Sequence, residues 1–212
     1  MIVGVMGLIG AGKDTVSDIF VREHGFEKIS FADSVKDVVS TVFDWDREMM
    51  EGATPESREF RDAVDQDWSD MLGVEMFSPR KAMQMVGTDT FRNHFNNNIW
   101  VYNTMRRASK YENTVISDVR FVNEANAILD AGGVLIRVFG SKTPSWYDVA
   151  QMAAEGDEIS EMYMESHYPH VHRSEWDCAA VEANYVIENT GTKDDLNSVV
   201  LEVHESVEAV RQ

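Results

Sequence analysis

Basic residues are scarce in this chain: 19 lysines and arginines stand against 37 aspartates and glutamates, a formal net charge of −18 over 212 residues. Nucleic-acid-binding surfaces are normally basic, so DNA and RNA are not expected as partners. Cysteine is nearly absent. Cys178 is the only one, which excludes an intramolecular disulfide framework and suits a reducing, cytoplasmic setting. No apolar run approaches the length needed to cross a bilayer, so no membrane partner is expected. No basic segment followed by a signal-type core opens the sequence, and its first residues are expected to be working sequence rather than a leader. There are no internal repeats and no low-complexity tract.

What is present begins at once. The apolar run Ile2-Val3-Gly4-Val5-Met6 leads directly into Gly7-Leu8-Ile9-Gly10-Ala11-Gly12-Lys13-Asp14-Thr15. That order reads as a buried strand, a glycine-rich turn and the start of a helix, the arrangement that cradles a nucleotide triphosphate tail. Glycines let the backbone approach phosphates and turn its N–H groups inward. Lys13 then supplies a mobile charge for the β- and γ-phosphates. The usual pattern has Ser or Thr directly after the lysine as a Mg²⁺ ligand; here Asp14 stands there and Thr15 follows. The alternative is a plain βα turn. Gly10, Ala11, Gly12, Lys13, Asp14 and Thr15 are the donor-binding candidates on this side.

Strands and helices alternate along the rest. Strands are expected at 2–7, 26–32, 114–117, 134–139 and 185–188, and helices at 13–24, 33–43, 98–111, 122–131 and 193–211. Asp33 or Ser34 reads as a helix cap. Ser78-Pro79 starts another helix well, with Ser as cap and Pro in the first turn. Such alternation implies an α/β fold of three layers: a central, mostly parallel sheet of about five strands with helices on both faces. Ligands then sit beyond the carboxyl ends of the strands. The phosphate loop, Asp33, Asp118-Val119-Arg120 and Asn189 all fall just after expected strands. The length fits one domain, 1–212, with a helical, substrate-side region at 44–111 and a lid-like insertion at 140–176. A helical insertion that packs on the surface, or makes a subunit contact, is the alternative for the latter.

Several constellations carry chemistry. In Ile116-Ser117-Asp118-Val119-Arg120, Asp118 can hold Mg²⁺ or its water shell, and Arg120 can fork onto a phosphoryl oxygen. The alternative for Asp118 is a helix cap. The helix after Ser78 carries Arg80, Gln84 and Asp89, with Arg92 beyond, offering donors for phosphate and amide or carboxylate groups for a base edge. Met83 and Met85 read as core or pocket wall. Arg173, in His172-Arg173-Ser174-Glu175, is the one arginine of the insertion and the candidate for neutralising the transferred group.

These residues together resemble the phage-type deoxynucleoside monophosphate kinases of the P-loop kinase fold. The resemblance is carried by GLIGAGKDT (7–15), SFADSVKD (30–37), RKAMQMVGTD with Arg92 and Trp100, ISDVRFVNE (116–124), HRSE (172–175) and YVIENTGTKDDL (185–196). GKDT in place of GK[ST] is a habit of that family. The last stretch is also similar to the adenine-side loop of dephospho-coenzyme A kinases. Residues 44–77 match poorly, and 140–171 are longer than the family's lid. The resemblance implies transfer of the ATP γ-phosphoryl group to the 5′-phosphate of a deoxynucleoside monophosphate, for nucleotide supply to DNA synthesis. ATP and Mg²⁺ are the implied cofactors, with Thr15 and Asp118 toward the metal and Asn189 and Gly191 on the donor side. It also implies Asp33, Lys36, Arg80, Gln84, Asp89, Arg92, Trp100 and Arg120 on the acceptor side, and Lys13, Arg120, Arg173 and Asp33 as the catalytic set. The acceptor is already an anion, so Asp33 is expected to orient substrate or metal-bound water, or simply to cap its helix. The implied partners are small nucleotides, and a homodimer is compatible. The location is the cytoplasm, the host's if the chain is phage-encoded. The alternatives are a P-loop kinase of another small acceptor, such as dephospho-coenzyme A, and a nucleotide-binding module without turnover.

Overall fold

A computed structural model describes residues 1–211. Contacts divide them into two compact units, one of residues 1–30 with 105 onward, the other Phe31–Thr104.

The first unit is built on five strands: β1 (Ile2–Met6), β2 (Glu27–Ile29), β3 (Thr114–Val119), β4 (Val134–Gly140) and β5 (Tyr185–Asn189). They pair in the order β2-β3-β1-β4-β5, and every pairing is parallel. The alternation of side chains along β1 explains the layering. Val3 and Val5 point into a cluster with Val16, Ile19 and Phe20 of α1 (Lys13–His24) and Leu196, Val200 and Val203 of α10 (Lys193–Arg211). Gly4 points the other way, toward α7 (Val122–Asp130). A Cβ there would lie 2.6 Å from Ile128 Cδ1 and 2.9 Å from Leu135 Cδ2. Only glycine lets α7 lie this close to the sheet.

The second unit holds α2 (Asp33–Phe43), α3 (Pro55–Asp62), α4 (Gln66–Leu72) and α5 (Pro79–Gln84). A π-helix, Met85–Phe95, follows. Then comes α6 (Ile99–Ala108), which runs across the boundary between the units. Val35, Val39, Met50, Phe77, Ala82 and Trp100 form the core of this unit, ringed by Phe43, Trp45 and Trp68. The poorly patterned stretch 44–78 is helical where caps are available. Thr54 and Ser57 close a capping box, and Asp65 Oδ1 accepts from the Trp68 N–H at 3.0 Å. Ser78 caps α5 as expected, its Oγ accepting from the Lys81 N–H at 3.3 Å.

Three local expectations are corrected. β2 is only three residues long, pairing Glu27–Ile29 with β3, so the chain leaves the sheet before Ala32. Asp33 is not a cap. Ala32 occupies the cap position with helical dihedrals and no side-chain cap bond, and Asp33 is the first residue of α2, where the helix dipole favours an acid. Asp118 is the penultimate residue of β3 and Asn189 the last of β5, rather than lying after the strands. The long segment between β4 and β5 carries α8 (Tyr147–Ala154) and α9 (Glu158–His167), joined to a one-turn helix at Arg173–Glu175. Ala150, Ala153, Met164 and Trp176 give it an apolar cluster of its own. Among the described residues no helix is long and apolar enough to cross a membrane.

Candidate functional site

The loop between β1 and α1 is fixed by few but specific contacts. The Ala11 N–H donates to Leu8 O at 3.2 Å. Asn189, at the end of β5, donates from Nδ2 to Ala11 O at 3.0 Å. Gly12 stands at the helix cap with φ +103°, and a Cβ there would lie 2.3 Å from Asn189 Nδ2. Both its dihedral and its neighbour therefore require glycine. Asn189 thus holds the loop by its backbone. Gly191 sits in the turn into α10, where Asp195 accepts from the Thr192 N–H at 2.8 Å.

Lys13 opens α1 and folds back over the loop, its Nζ donating to Leu8 O at 2.8 Å. Burial, and then the neighbouring Arg120 guanidinium, push its ammonium down from 10.5 to about 8, against the pull of Asp14 and Asp118. Lys13 and Arg120 line one small, solvent-open hollow with Gly7, Ile9, Val119, Ser174, Glu175 and Cys178. Two cations share this hollow. Asp118 Oδ2 accepts from Ser30 Oγ at 2.6 Å, which orients the carboxylate. Asp14 and Thr15 are exposed on the first turn of α1, and Asp14 lies 3.3 Å from Lys28 Nζ. Among the described residues no cluster of three or more His, Cys, Asp or Glu is arranged to hold a metal.

Three further residues shape this site, and the sequence reading assigns Glu124 and Arg137 no role in it. Glu124 is 2% exposed and accepts from the backbone N–H groups of Arg120 (2.8 Å) and Phe121 (3.1 Å), fixing the turn that carries Arg120. An acid three residues into a helix is the available signal. Arg137 lies inside the apolar run of β4, 7% exposed. It donates to Cys178 O at 2.8 Å, Val181 O at 2.6 Å and Tyr147 Oη at 3.2 Å, tying β4 to both ends of the insertion. A lone charge in a strand otherwise apolar marks it. Cys178 is buried against Val119 O, and burial pushes its thiol up to about 11, so it is a packing residue rather than a nucleophile.

The insertion's arginine is already engaged. Arg173 Nη1 lies 2.6 Å from Glu161, its Nε lies 2.9 Å from Asp177, and its guanidinium stacks 5.4 Å from the Trp176 ring. Its successors Ser174 and Glu175 are the residues that reach the Lys13 cavity.

The remaining candidates belong to the second unit. Lys36 is buried, 2.6 Å from Glu51 and 3.8 Å from Asp33. Arg80 pairs on the surface with Asp62. Gln84 is half-buried where α5 ends, and Asp89 is exposed on the π-helix. Arg92 is 6% exposed and donates to Asn97 O at 3.2 Å. Trp100 is buried in the core and donates from Nε1 to Gly87 O at 2.8 Å.

A parallel five-stranded sheet flanked by helices, with a glycine loop and lysine after its central strand, defines a P-loop kinase fold, and the class is that of a phosphotransferase. The comparisons with known proteins are specific. The family model described as deoxynucleotide monophosphate kinase matches residues 64–152. A protein of Acanthamoeba polyphaga mimivirus, provisionally named a deoxynucleotide monophosphate kinase, is 32% identical over 152 residues, 65% of this chain and 73% of that protein. The chain belongs to the deoxynucleotide monophosphate kinase family. Among solved structures, a dephospho-CoA kinase from Campylobacter jejuni is 16% identical with a TM-score of 0.46, covering 97% of this chain and 96% of its own. A shikimate kinase from Aquifex aeolicus is 15% identical with a TM-score of 0.45, covering 97% of each chain. Neither of those two likenesses bears on the substrate.

Proposed function

We propose that this protein transfers the γ-phosphoryl group of ATP to the 5′-phosphate of a deoxynucleoside monophosphate, within the supply of precursors for DNA synthesis. The observation that carries the reading is the pair of cations, Lys13 and Arg120, lining one cavity beside a glycine loop. Burial, and then the like charge of Arg120, disfavour the Lys13 ammonium in the free protein. A polyanion in the cavity turns that repulsion into attraction. The loop N–H groups and Lys13 hold the donor's β- and γ-phosphates, and Arg120 forks onto the moving phosphoryl group. Catalysis here is positioning and charge stabilisation, because the acceptor is already an anion and needs no strong base.

Thr15 and Asp118 offer one hydroxyl and one carboxylate, a sparse set of hard oxygen donors. Such a set suits Mg²⁺, which keeps several waters and shares its shell with substrate phosphates. When bound, the ion neutralises charge developing between the β- and γ-phosphates. Ser30 keeps the Asp118 carboxylate oriented for it. In the second unit, Asp33, Lys36, Arg80, Gln84, Asp89 and Arg92 are read as the groups that recognise the monophosphate.

The test is ADP release with ATP and Mg²⁺, with each of the four deoxynucleoside monophosphates, with dephospho-coenzyme A and with no acceptor. Release stimulated by one or more monophosphates, and not by dephospho-coenzyme A, is expected. Stimulation by dephospho-coenzyme A alone, or no stimulation at all, overturns the reading.

A further inference from the structure

The second unit contains an unusual element. Met85–Phe95 is a π-helix of eleven residues, where such turns mostly occur singly, as bulges, and often at functional sites. Its closing bond runs from the Asn96 N–H to Phe91 O at 2.8 Å, the i→i+5 pattern. A sequence such as this could wind as an α-helix, so something must hold the wider turn. Trp100 is the main support. Its indole N–H donates to Gly87 O at 2.8 Å, a carbonyl whose second lone pair stays available to the helix. Its ring lies 5.0 Å from that of Phe91. On the opposite side Gly87 packs on α2, where an added Cβ would come 3.2 Å from Val35 Cγ1. His94 Nδ1 makes a further bond across the turn, 2.6 Å from Asp89 O.

The register matters because of what it does to Gln84 and Asp89. Five residues apart in an α-helix, they would point about 140° away from each other. The wider turn swings them back toward one face. By register, an amide that donates and accepts and a carboxylate that only accepts then fall on the same side of the helix. That pair suits a nucleobase edge bearing N–H donors, by the same matching that reads base edges elsewhere.

We infer that Trp100 is a positioning residue for base discrimination: by holding the π register it brings Gln84 and Asp89 onto one face, where they select the base of the nucleoside monophosphate. This rests on the kinase reading above. Trp100 itself is 5% exposed, in the core of the unit, and acts through the helix rather than on the substrate.

The experiment uses the full chain with Trp100→Phe, which keeps the aromatic ring and removes the donor, and Gly87→Ala, which presses a methyl on Val35 and favours α-helix. Folding is checked by circular dichroism and urea denaturation. For each variant, KM and kcat are measured with each of the four deoxynucleoside monophosphates, and ATP affinity is measured by equilibrium binding. KM for the best monophosphate should rise about fivefold to tenfold, the size of one lost hydrogen bond. kcat and ATP affinity should stay near wild type, and the spread of kcat/KM among the four acceptors should shrink. If Trp100→Phe does not fold, Gly87→Ala carries the test. A folded variant with unchanged KM and unchanged spread overturns the inference, as does a uniform loss of kcat, ATP affinity and stability together. Wild-type protein that transfers to none of the four acceptors overturns the kinase reading and this inference with it. Wild-type transfer with silent variants overturns this inference alone.

Discussion

Replacing Lys13 with methionine should make the free protein more stable while crippling its chemistry. The Lys13 ammonium titrates near 8 in the folded chain instead of 10.5, chiefly because it is buried and then because Arg120 stands beside it. A displacement of that size corresponds to roughly 3 kcal/mol of folding free energy that the charged side chain costs at neutral pH. The sign follows from proton counting. Between about 8 and 10.5 the unfolded chain keeps its proton and the folded chain has lost it, so the wild type gains stability as pH rises through that window. Methionine fills similar space and carries no charge. At pH 7 without nucleotide, Lys13→Met should therefore unfold at higher urea, by up to about 3 kcal/mol. Near pH 10 the difference should fall below about 1 kcal/mol, because the wild-type lysine is then neutral when folded. Phosphoryl transfer should drop by about 10²–10³-fold, the scale of one lost transition-state donor. A variant no more stable than wild type at pH 7, or one whose advantage does not shrink with pH, refutes the account of a strained cation in a phosphate cavity. Near-normal turnover refutes the role of Lys13.

Other outcomes follow from the same geometry. Arg120→Ala should raise KM for the monophosphate and lower kcat, with ATP binding changed much less; it should also shift the alkaline limb of the pH–rate profile upward, since Lys13 loses a cationic neighbour. The stacked rings of His24 and His204, 3.7 Å apart, join α1 to α10. Burial, and then His204, hold His24 below its usual 6.5, and its Nε2 is buried without a hydrogen-bond partner. A depressed folded pKa means stability is lost as pH falls below 6.5; thermal unfolding from pH 7.5 to 5 should show a fall that is shallower in His24→Phe. Arg173→Ala removes two ion pairs of a half-exposed arginine, one of them to the mostly buried Asp177, so the melting temperature should fall by no more than a few degrees. If the insertion closes over nucleotide, that variant should slow turnover more than it weakens binding, and a bisubstrate analogue should protect residues 141–175 from protease. Unchanged proteolysis and unchanged kinetics would make the insertion a structural element only.

The sheet and its order of elements are legible because strands buried on both faces read as apolar runs and helices announce their ends. α1 spans Lys13–His24 as its loop and Gly25 predict. The phosphate loop is legible because it is local, with strand, turn, lysine and helix contiguous in sequence. What is lost is whatever depends on a distant partner. Nothing near Asn189 says that its amide holds Ala11 O, and nothing near Trp100 says that its indole holds Gly87 O. The π-helix is invisible to a 3.6-residue period, because that period is what the turn violates. Asp33 misleads as a cap because capping statistics cannot see that β2 ends early and the helix begins at the next opportunity. Arg137 is hidden by its strand; only the fold supplies the carbonyls that make a buried guanidinium tolerable.

The segment between β4 and β5 has a bearing on how this chain can diverge. It leaves the sheet at Gly140, which is paired with Asn189 at the end of the neighbouring strand, and it carries its own apolar cluster. The strand register on either side is therefore set without it. Lengthening a connection costs little, since closure entropy grows only logarithmically with loop length. Helices can be gained, shortened or exchanged here while the phosphate loop keeps its shape, provided that Arg137 retains its carbonyl anchors at 178 and 181. Substrate range could then evolve, or be engineered, by grafting at this connection, with the sheet as an unchanging chassis.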